Sequence, residues 1–264
     1  MSFFSVNGLG AGYEKGYIVE DITFELGAGT IMGILGANGS GKTTLLKSIC
    51  GILPHKGTCV LDGTVLEGLS SRNMARFCSY IPQRSGITID ISVLDVVMMG
   101  FNPRLGLLQR PDASMYEAAE KALVQVGLEG RAEENYLHLS EGQKQLCILA
   151  RTLVTRSKLL LLDEPESALD FRYRYRMLEL IRRWVSENRN AAVVTLHDPG
   201  LALNDCDRLL LLKDGHTLDV LSPRETDLGE TEKALSQLYG AVSLQRCKNR
   251  GGREALIMLR EEDE

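Results

Sequence analysis

Residues able to bind a phosphate group lie together near the start of the chain, between Gly36 and Thr43. This stretch, the phosphate loop, matches the pattern G-x-x-x-x-G-K-[ST] and joins an apolar run to a segment typical of a helix. Glycines let backbone N–H groups turn toward one anion, and the positive end of the following helix points to the same place. Lys42 can reach the β- and γ-phosphates of a nucleotide, and the Thr43 hydroxyl can ligate Mg²⁺.

Two carboxylates follow a second apolar run, at residues 159–162. This run predicts a buried strand, which delivers Asp163 and Glu164 at its carboxyl end, where open α/β sheets bind ligands. Asp163 suits a place in a magnesium shell. Glu164 suits the general base that activates an attacking water.

Three more side chains could contact a nucleotide, but each also has an ordinary structural explanation. Gln83 follows a short predicted strand and could place its amide near Mg²⁺ or a water, although such a residue is more often plain loop. His197 follows a buried strand, and that position favours contact with a γ-phosphate. Tyr13, predicted on a loop between early strands, could stack on a purine or be a partly buried loop residue.

A second candidate anion site lies at the start of the helix that follows Leu139. Ser140 and Gln143 form an S-x-x-Q capping box, which explains those two residues structurally. Gly142 lacks a local explanation, because glycine in a first helical turn costs about 1 kcal/mol relative to alanine. We therefore expect another group to approach the backbone closely at Gly142.

The remaining pattern predicts an α/β core with an inserted helical segment. Strands are predicted at residues 3–9 and 22–26, with residues 10–12 breaking the first, and a hairpin at residues 208–221. Residues 88–157, the helical region, show only helix and loop patterns, including an amphipathic helix at residues 113–126.

Composition excludes several classes of function. The net charge of the 264 residues is −5 and the pI is about 5.5, so we expect no nucleic-acid partner, and the basic, aromatic run 171–184 is predicted to be a solvated helix face. The apolar runs are too short to cross a bilayer, and the first residues do not resemble a secretory signal. The six cysteines include no C-x-x-C pair, so we expect reduced core thiols and not a metal site.

In this order, the motifs resemble those of the ATP-binding cassette (ABC) ATPases over nearly the whole chain. The corresponding family motifs are the A-loop at Tyr13, Walker A at residues 36–43, the Q-loop at Gln83, the signature at residues 139–143, Walker B at residues 159–164, the D-loop at residues 167–170 and the H-loop at His197. Two residues depart from the family pattern: Glu141, where glycine is usual, and Glu166, where threonine is common.

The resemblance implies an α/β fold with a P-loop NTPase (RecA-like) core, an antiparallel β subdomain and an inserted α-helical subdomain, the ABC ATPase fold. Residues 1–264 would form a single ABC ATPase domain. Within it, residues 1–87 and 158–240 would form the nucleotide-binding core with its β subdomain, residues 88–157 the helical subdomain, and residues 241–264 a C-terminal extension.

The resemblance also implies roles for the site residues. Glu164, His197 and Gln83 would be catalytic, and Thr43, Gln83 and Asp163 would hold Mg²⁺. The residues implied to bind ATP are Tyr13, Gly36, Asn38, Gly39, Ser40, Gly41, Lys42, Thr43, Thr44, Ser140, Gly142, Gln143 and Asp170.

In this family two cassettes enclose ATP between the Walker A loop of one and the signature of the other. The resemblance therefore implies a homodimer that works with transmembrane permease subunits at the cytoplasmic face of the membrane, and indirectly with an extracytoplasmic substrate-binding protein. Residues 80–83, 92–100 with Pro103, and 238–240 look most like ATPases of importers for ferric siderophores, haem and cobalamin.

Two other classes remain open on the sequence. A soluble cassette ATPase, such as one of the iron–sulfur assembly type, would share every motif and differ in membrane association. A P-loop kinase would need neither the signature helix nor the H-loop histidine, and this makes it the weaker alternative.

Overall fold

The computed structural model describes residues 2–14, 16–106, 108–166 and 169–261. The strands are β1 (Phe4–Tyr13), β2 (Gly16–Leu26), β3 (Thr30–Leu35), β4 (His55–Leu61), β5 (Thr64–Val65), β6 (Cys78–Ile81), β7 (Leu159–Asp163), β8 (Ala191–Thr195), β9 (Arg208–Lys213), β10 (His216–Leu221), β11 (Val242–Lys248) and β12 (Glu254–Arg260). The helices are α1 (Lys42–Ile49), α2 (Ser71–Phe77), α3 (Val93–Met98), α4 (Ala113–Val126), α5 (Glu141–Thr155), α6 (Phe171–Asn188), α7 (Pro199–Asp205) and α8 (Leu228–Tyr239), with 3₁₀ turns at Met99–Phe101 and Tyr136–His138.

A six-stranded sheet in the order β10-β9-β3-β8-β7-β6 forms the centre of the fold. Neighbouring strands are parallel except β10, which is antiparallel to β9. Every residue of β7 and β8 is buried, and this explains why these strands are continuous apolar runs in the sequence. Because the strands are parallel, the carboxyl ends of β3, β6, β7 and β8 lie at one edge of the sheet.

Two apolar cores lie on opposite faces of this sheet. Alternate residues of β3 enter different cores: Ile31 and Leu35 pack with the helical region, while Met32 and Ile34 pack with α1 and a second sheet, as the two-residue period of a strand requires. The second sheet is antiparallel, in the order β2-β1-β4-β5. The predicted α/β fold with an antiparallel sheet beside a parallel core is confirmed.

The helical region contains α3, α4 and α5. Its described residues form helices and loops apart from one isolated bridge between Ser92 and Asn135. The predicted amphipathic helix is α4, which ends at Gly127 with φ 76°. The predicted capping box at the start of α5 is present, with Ser140 and Gln143 bonding each other's backbone. The division of the chain into subdomains stays a prediction.

The first two strands are longer than the sequence predicted. β1 continues through residues 10–12 to Tyr13, and β2 begins at Gly16. Shifts of register between β1 and β2 accommodate the glycines, so residues that were expected to break the strand act as bulges within it. Tyr13 is therefore the last residue of a strand, and the expectation that it lies on a loop is wrong.

The C-terminal part of the described chain packs on the core. β11 and β12 form their own hairpin, and the Asn204 side chain of α7 donates to the Leu256 carbonyl oxygen at 2.9 Å and accepts from its N–H at 2.8 Å. Five cysteines are buried and Cys247 is half-buried. Among the helices of the described residues, none combines the length and apolar character needed to cross a membrane.

Candidate functional site

The phosphate loop lies between the end of β3 and the start of α1. Gly39 and Gly41 have φ values of 81° and 102°, which favour glycine over residues with a Cβ atom. A Cβ atom on Gly41 would lie 2.4 Å from Val19 Cγ1, and one on Gly36 would lie 2.4 Å from the Leu212 carbonyl oxygen. The loop thus needs glycine for its backbone shape and for the close approach of β2 and β9.

Lys42 is held inside the phosphate loop. Its Nζ donates to the carbonyl oxygens of Gly36 at 2.9 Å and Ala37 at 3.3 Å, and it lies 3.6 Å from Glu164 Oε1. The buried Ser40 Oγ has no hydrogen-bond partner within the described residues. An open cavity of about 230 Å³ lies here, lined by Ile18, Asn38, Gly39, Gly41, Lys42, Thr43, Thr44 and Glu164. Its cation and backbone N–H groups suit an anionic ligand.

Asp163 is a buried carboxylate at the end of β7 that meets three hydroxyl groups. Thr43 Oγ1 donates to Oδ1 at 3.0 Å, Tyr80 donates to Oδ2 at 3.0 Å, and Thr195 Oγ1 lies 3.1 Å from Oδ1. Burial and the neighbouring Asp163 charge raise the pKa of Tyr80, which keeps its hydroxyl protonated and able to donate. The Thr43 hydroxyl and the Asp163 carboxylate form an oxygen donor set of the kind that Mg²⁺ prefers.

The three side chains that were predicted to be catalytic, Gln83, Glu164 and His197, meet at the Glu164 carboxylate. Its Oε2 accepts from Gln83 Nε2 at 3.0 Å and lies 2.7 Å from His197 Nε2. Its backbone has φ 48° and donates its N–H to Thr195 Oγ1 at 2.8 Å. Such backbone conformations cost about 1–3 kcal/mol and concentrate at functional sites. The structure therefore assembles Glu164, Gln83, His197 and Lys42 around one position.

The start of α5 does not contribute to the cavity beside Lys42 within one chain. Ser140 and Glu141 are exposed, and none of the described residues lining the cavity beside Lys42 belongs to α5. Gly142 is buried beneath the ring of Tyr173, and a Cβ atom on it would lie 3.1 Å from that ring. The expected close approach to Gly142 is thus present, and the group concerned is an aromatic ring of α6. The Glu141 carboxylate pairs with Lys144 at 2.8 Å.

Two other predicted nucleotide contacts also do not line the cavity beside Lys42. Tyr13 is 52% exposed at the end of β1. Asp170 is the N-cap of α6, where its Oδ1 accepts from the Tyr173 N–H at 3.0 Å, so it has a structural role in this chain. Ser167 and Ala168, in the segment predicted to be the D-loop, lie outside the described residues.

Four residues at the site were not predicted to take part. Tyr80 and Thr195 surround Asp163, as described above. Gln145 of α5 donates from Nε2 to the Gln83 carbonyl oxygen at 2.8 Å and so connects the helical region to the end of β6. The sequence offers no local signal for these contacts, because each joins elements distant along the chain.

Glu166 is the fourth residue at the site that was not predicted to take part. It is 4% exposed, its Oε1 accepts from the His197 N–H at 2.7 Å, and its Oε2 has no hydrogen-bond partner in the described part of the chain. Burial raises the pKa of Glu166. This departure from the family pattern therefore positions the backbone of the histidine that contacts Glu164.

Known proteins share both the sequence and the fold of this chain. The family profile described as ABC transporter matches residues 19–167. The Hemin import ATP-binding protein HmuV of Pseudomonas putida is 36% identical over 246 residues, which cover 91% of this chain and 93% of that protein. The Probable iron chelatin transport ATP-binding protein of Helicobacter pylori is 34% identical over 239 residues, covering 89% and 91%.

A solved structure of an ABC transporter, described as an inward-facing conformation of the metal-chelate type, superposes with a TM-score of 0.83. It is 26% identical, and the match covers 99% of each chain. The chain belongs to the ABC transporter family, in which it is an ATP-binding ATPase. The predicted family, fold and enzyme class are confirmed.

We expect Glu166→Gln to change stability in a pH-dependent way. Because the pKa of Glu166 is raised above its ordinary 4.5, the folded chain binds this proton more tightly than the unfolded chain. The wild type therefore loses stability as the pH rises from about 4.5 through the folded pKa. Glutamine does not titrate in this range, so the variant lacks this pH dependence. Its amide oxygen can still accept from the His197 N–H.

Thermal unfolding would measure this effect. The Tm of the variant minus that of the wild type should increase between about pH 5 and about pH 8. Glu129→Gln is the matched control, because Glu129 is exposed. The Tm of this control variant minus that of the wild type should not change with pH. A difference at Glu166 that stays constant or falls with pH would contradict the prediction.

Proposed function

We propose that this chain is the motor subunit of a membrane importer and that two copies enclose two ATP molecules between them. The observation that carries the proposal is the separation of two sets of residues. Lys42, Asp163 and Glu164 are assembled at one edge of the sheet, while Ser140 and Glu141 are exposed at a helix start that does not line the cavity beside Lys42. In a two-fold dimer, the helix start of one copy would complete the cavity of the other.

In this proposal the phosphate loop binds the triphosphate. Backbone N–H groups of residues 36–43 surround the β-phosphate, Lys42 contacts the β- and γ-phosphates, and Tyr13 stacks on the adenine. Thr43 and Asp163, with Gln83, would hold Mg²⁺, which neutralises charge on the phosphates. The observed Thr43–Asp163 contact of 3.0 Å supports this part of the proposal.

Glu164 is the proposed general base. It accepts a proton from the attacking water, and His197 and Gln83 keep its carboxylate and the water in line with the γ-phosphate. The contacts of 2.7 Å and 3.0 Å to Glu164 Oε2 support these positioning roles. Its contact with Lys42 would be replaced by the triphosphate, since phosphate oxygens offer that amine stronger partners.

The signature helix α5 is the proposed link between nucleotide and membrane partner. Its start would contact the γ-phosphate of the other copy through Ser140, Gly142 and Gln143, and its Gln145 is bonded to the Gln83 carbonyl oxygen. Closure of the dimer by ATP would move the helical region relative to the core, and hydrolysis would release it. Permease subunits at the cytoplasmic face of the membrane would follow this movement.

The proposed cargo is a metal chelate, such as a ferric siderophore, haem or cobalamin. The support comes from relatives whose names specify hemin import and iron chelatin transport, at 36% and 34% identity. An extracytoplasmic binding protein would deliver the chelate to the permease. A soluble ATPase unconnected to transport is the alternative, and membrane association separates the two.

Glu164→Gln should bind ATP but hydrolyse it at least about 100-fold more slowly, because the general base is lost while the phosphate loop is retained. ATP turnover by the purified complex and nucleotide binding by the same preparation would be measured. Glu129→Gln, an exposed change of the same kind, should leave both unchanged. Turnover near the wild-type rate would reject the role of Glu164.

Ser140→Arg should abolish hydrolysis in the assembled complex, because the larger side chain would block the nucleotide held by the other copy. The isolated variant chain should still bind ATP, since its own phosphate loop is intact. Ser140→Ala is the control: it also loses the helix cap, worth about 1 kcal/mol, but adds no bulk and should retain more activity. Unchanged turnover in Ser140→Arg would be evidence against a shared site.

The transport role is tested by recovering the chain from membranes with its partners. In vesicles containing that complex, ATP should drive uptake of a labelled haem, ferric siderophore or cobalamin, and the Glu164→Gln complex should not. A chain found only in the soluble fraction and without membrane partners would favour the soluble ATPase.

A further inference from the structure

Three side chains able to bind metal meet on the antiparallel sheet, away from the phosphate loop. His55 and Cys59 belong to β4, and Glu67 follows β5. One ligand atom from each lies within 4.8 Å of the others. The spacing in the sequence does not resemble a C-x-x-C pair, so the cluster exists only because the chain turns back between β4 and β5.

The His55 ring is already oriented for metal binding. Its Nδ1 lies 3.0 Å from the Lys56 carbonyl oxygen. Because a carbonyl oxygen can only accept, this contact requires the proton on Nδ1, and the neutral ring with that proton would offer the lone pair of Nε2 as a ligand. That Nε2 lies 3.7 Å from Glu67 Oε1, and the His55 side chain is only 9% exposed.

The two oxygens of the Glu67 carboxylate differ in their hydrogen-bond partners. Its Oε1 accepts from the Cys59 N–H at 2.6 Å, whereas its Oε2 is buried and has no hydrogen-bond partner within the described residues. Buried polar atoms are nearly always satisfied by a donor, a water or an ion. The Glu67 side chain is 30% exposed, which leaves a path from solvent.

The distances and the atom types suit one class of ion. A nitrogen and an oxygen ligand at about 2.0–2.2 Å from a tetrahedral metal are roughly 3.3–3.5 Å apart, a few tenths of an ångström less than the separation of 3.7 Å between His55 Nε2 and Glu67 Oε1. Imidazole nitrogen, thiolate sulfur and carboxylate oxygen form a mixed set that favours Zn²⁺ and related transition metals, whereas Mg²⁺ prefers oxygen alone. This distinguishes the cluster from the Thr43 and Asp163 pair.

We propose that His55, Cys59 and Glu67 bind one divalent transition-metal ion of the Zn²⁺ type, with water in the fourth position. The ion displaces the Cys59 thiol proton to solvent, as it does at other thiolate sites. The bound ion connects β4 to the segment after β5.

Cobalt titration of the full-length protein tests the proposal, because Co²⁺ shows a near-ultraviolet charge-transfer band only when a thiolate is among its ligands; this thiolate band is the one measured. Excess Mg²⁺ would be present throughout to occupy oxygen sites. One equivalent of Co²⁺ per chain should produce the band, and Zn²⁺ should remove it. No thiolate band, or a band that needs several equivalents, would overturn the site.

Variants assign the ligands. His55→Gln and Glu67→Gln should each weaken Co²⁺ binding by at least about 10- to 100-fold, and Cys59→Ser should remove the band. Cys247→Ser is the matched control on another sheet and should leave the titration unchanged. If the buried Cys59→Ser variant does not fold, the weaker Co²⁺ binding expected of His55→Gln still tests the site. A band that persists unchanged in His55→Gln, or disappears in Cys247→Ser, would overturn the assignment.

Discussion

The buried carboxylate of Asp163 is the contact on which the arrangement of the nucleotide site depends. A charged group at 5% exposure is costly unless donors surround it, and here hydroxyls from α1, β6 and β8 do so. Satisfying one carboxylate therefore fixes the start of the phosphate helix relative to three neighbouring strands. The next residue, Glu164, directly follows this strand end, so its position is fixed with that of Asp163. The Glu164 backbone N–H, at a residue with positive φ, donates to Thr195 Oγ1.

The helical region shares an apolar core with the sheet, and two specific contacts of α5 add to it. Gln145 bonds the Gln83 carbonyl oxygen, and the Tyr173 ring covers Gly142. Both contacts involve α5, whose exposed start lies outside the cavity beside Lys42. Through Gln145, α5 is bonded directly to the Gln83 carbonyl oxygen at the end of β6, so a change at this strand end can reach the helix.

The two departures from the family pattern have physical explanations in this chain. Glu141 adds a negative charge at an exposed helix start, where the helix dipole favours it and Lys144 pairs with it at 2.8 Å. Glu166 is buried, and its carboxylate accepts the backbone N–H of His197. The first is a surface charge that its neighbour offsets, whereas the second is part of the support for a site residue.

The sequence by itself determined the phosphate loop, the acidic end of β7, the helix caps and the order of strands and helices. These features depend on residues a few positions apart, where backbone preferences and apolar periodicity act directly. Only the tertiary structure decided which side chains meet. Thr43 and Asp163 are separated by 120 positions and Gln145 and Gln83 by 62, so their contacts depend on how the layers pack.

The same reason explains the misplacement of Tyr13 and the cluster of His55, Cys59 and Glu67. Whether glycines end a strand or form a bulge depends on the partner strand, which the local sequence does not contain. A cluster assembled by the turn between two strands likewise has no signature in spacing alone.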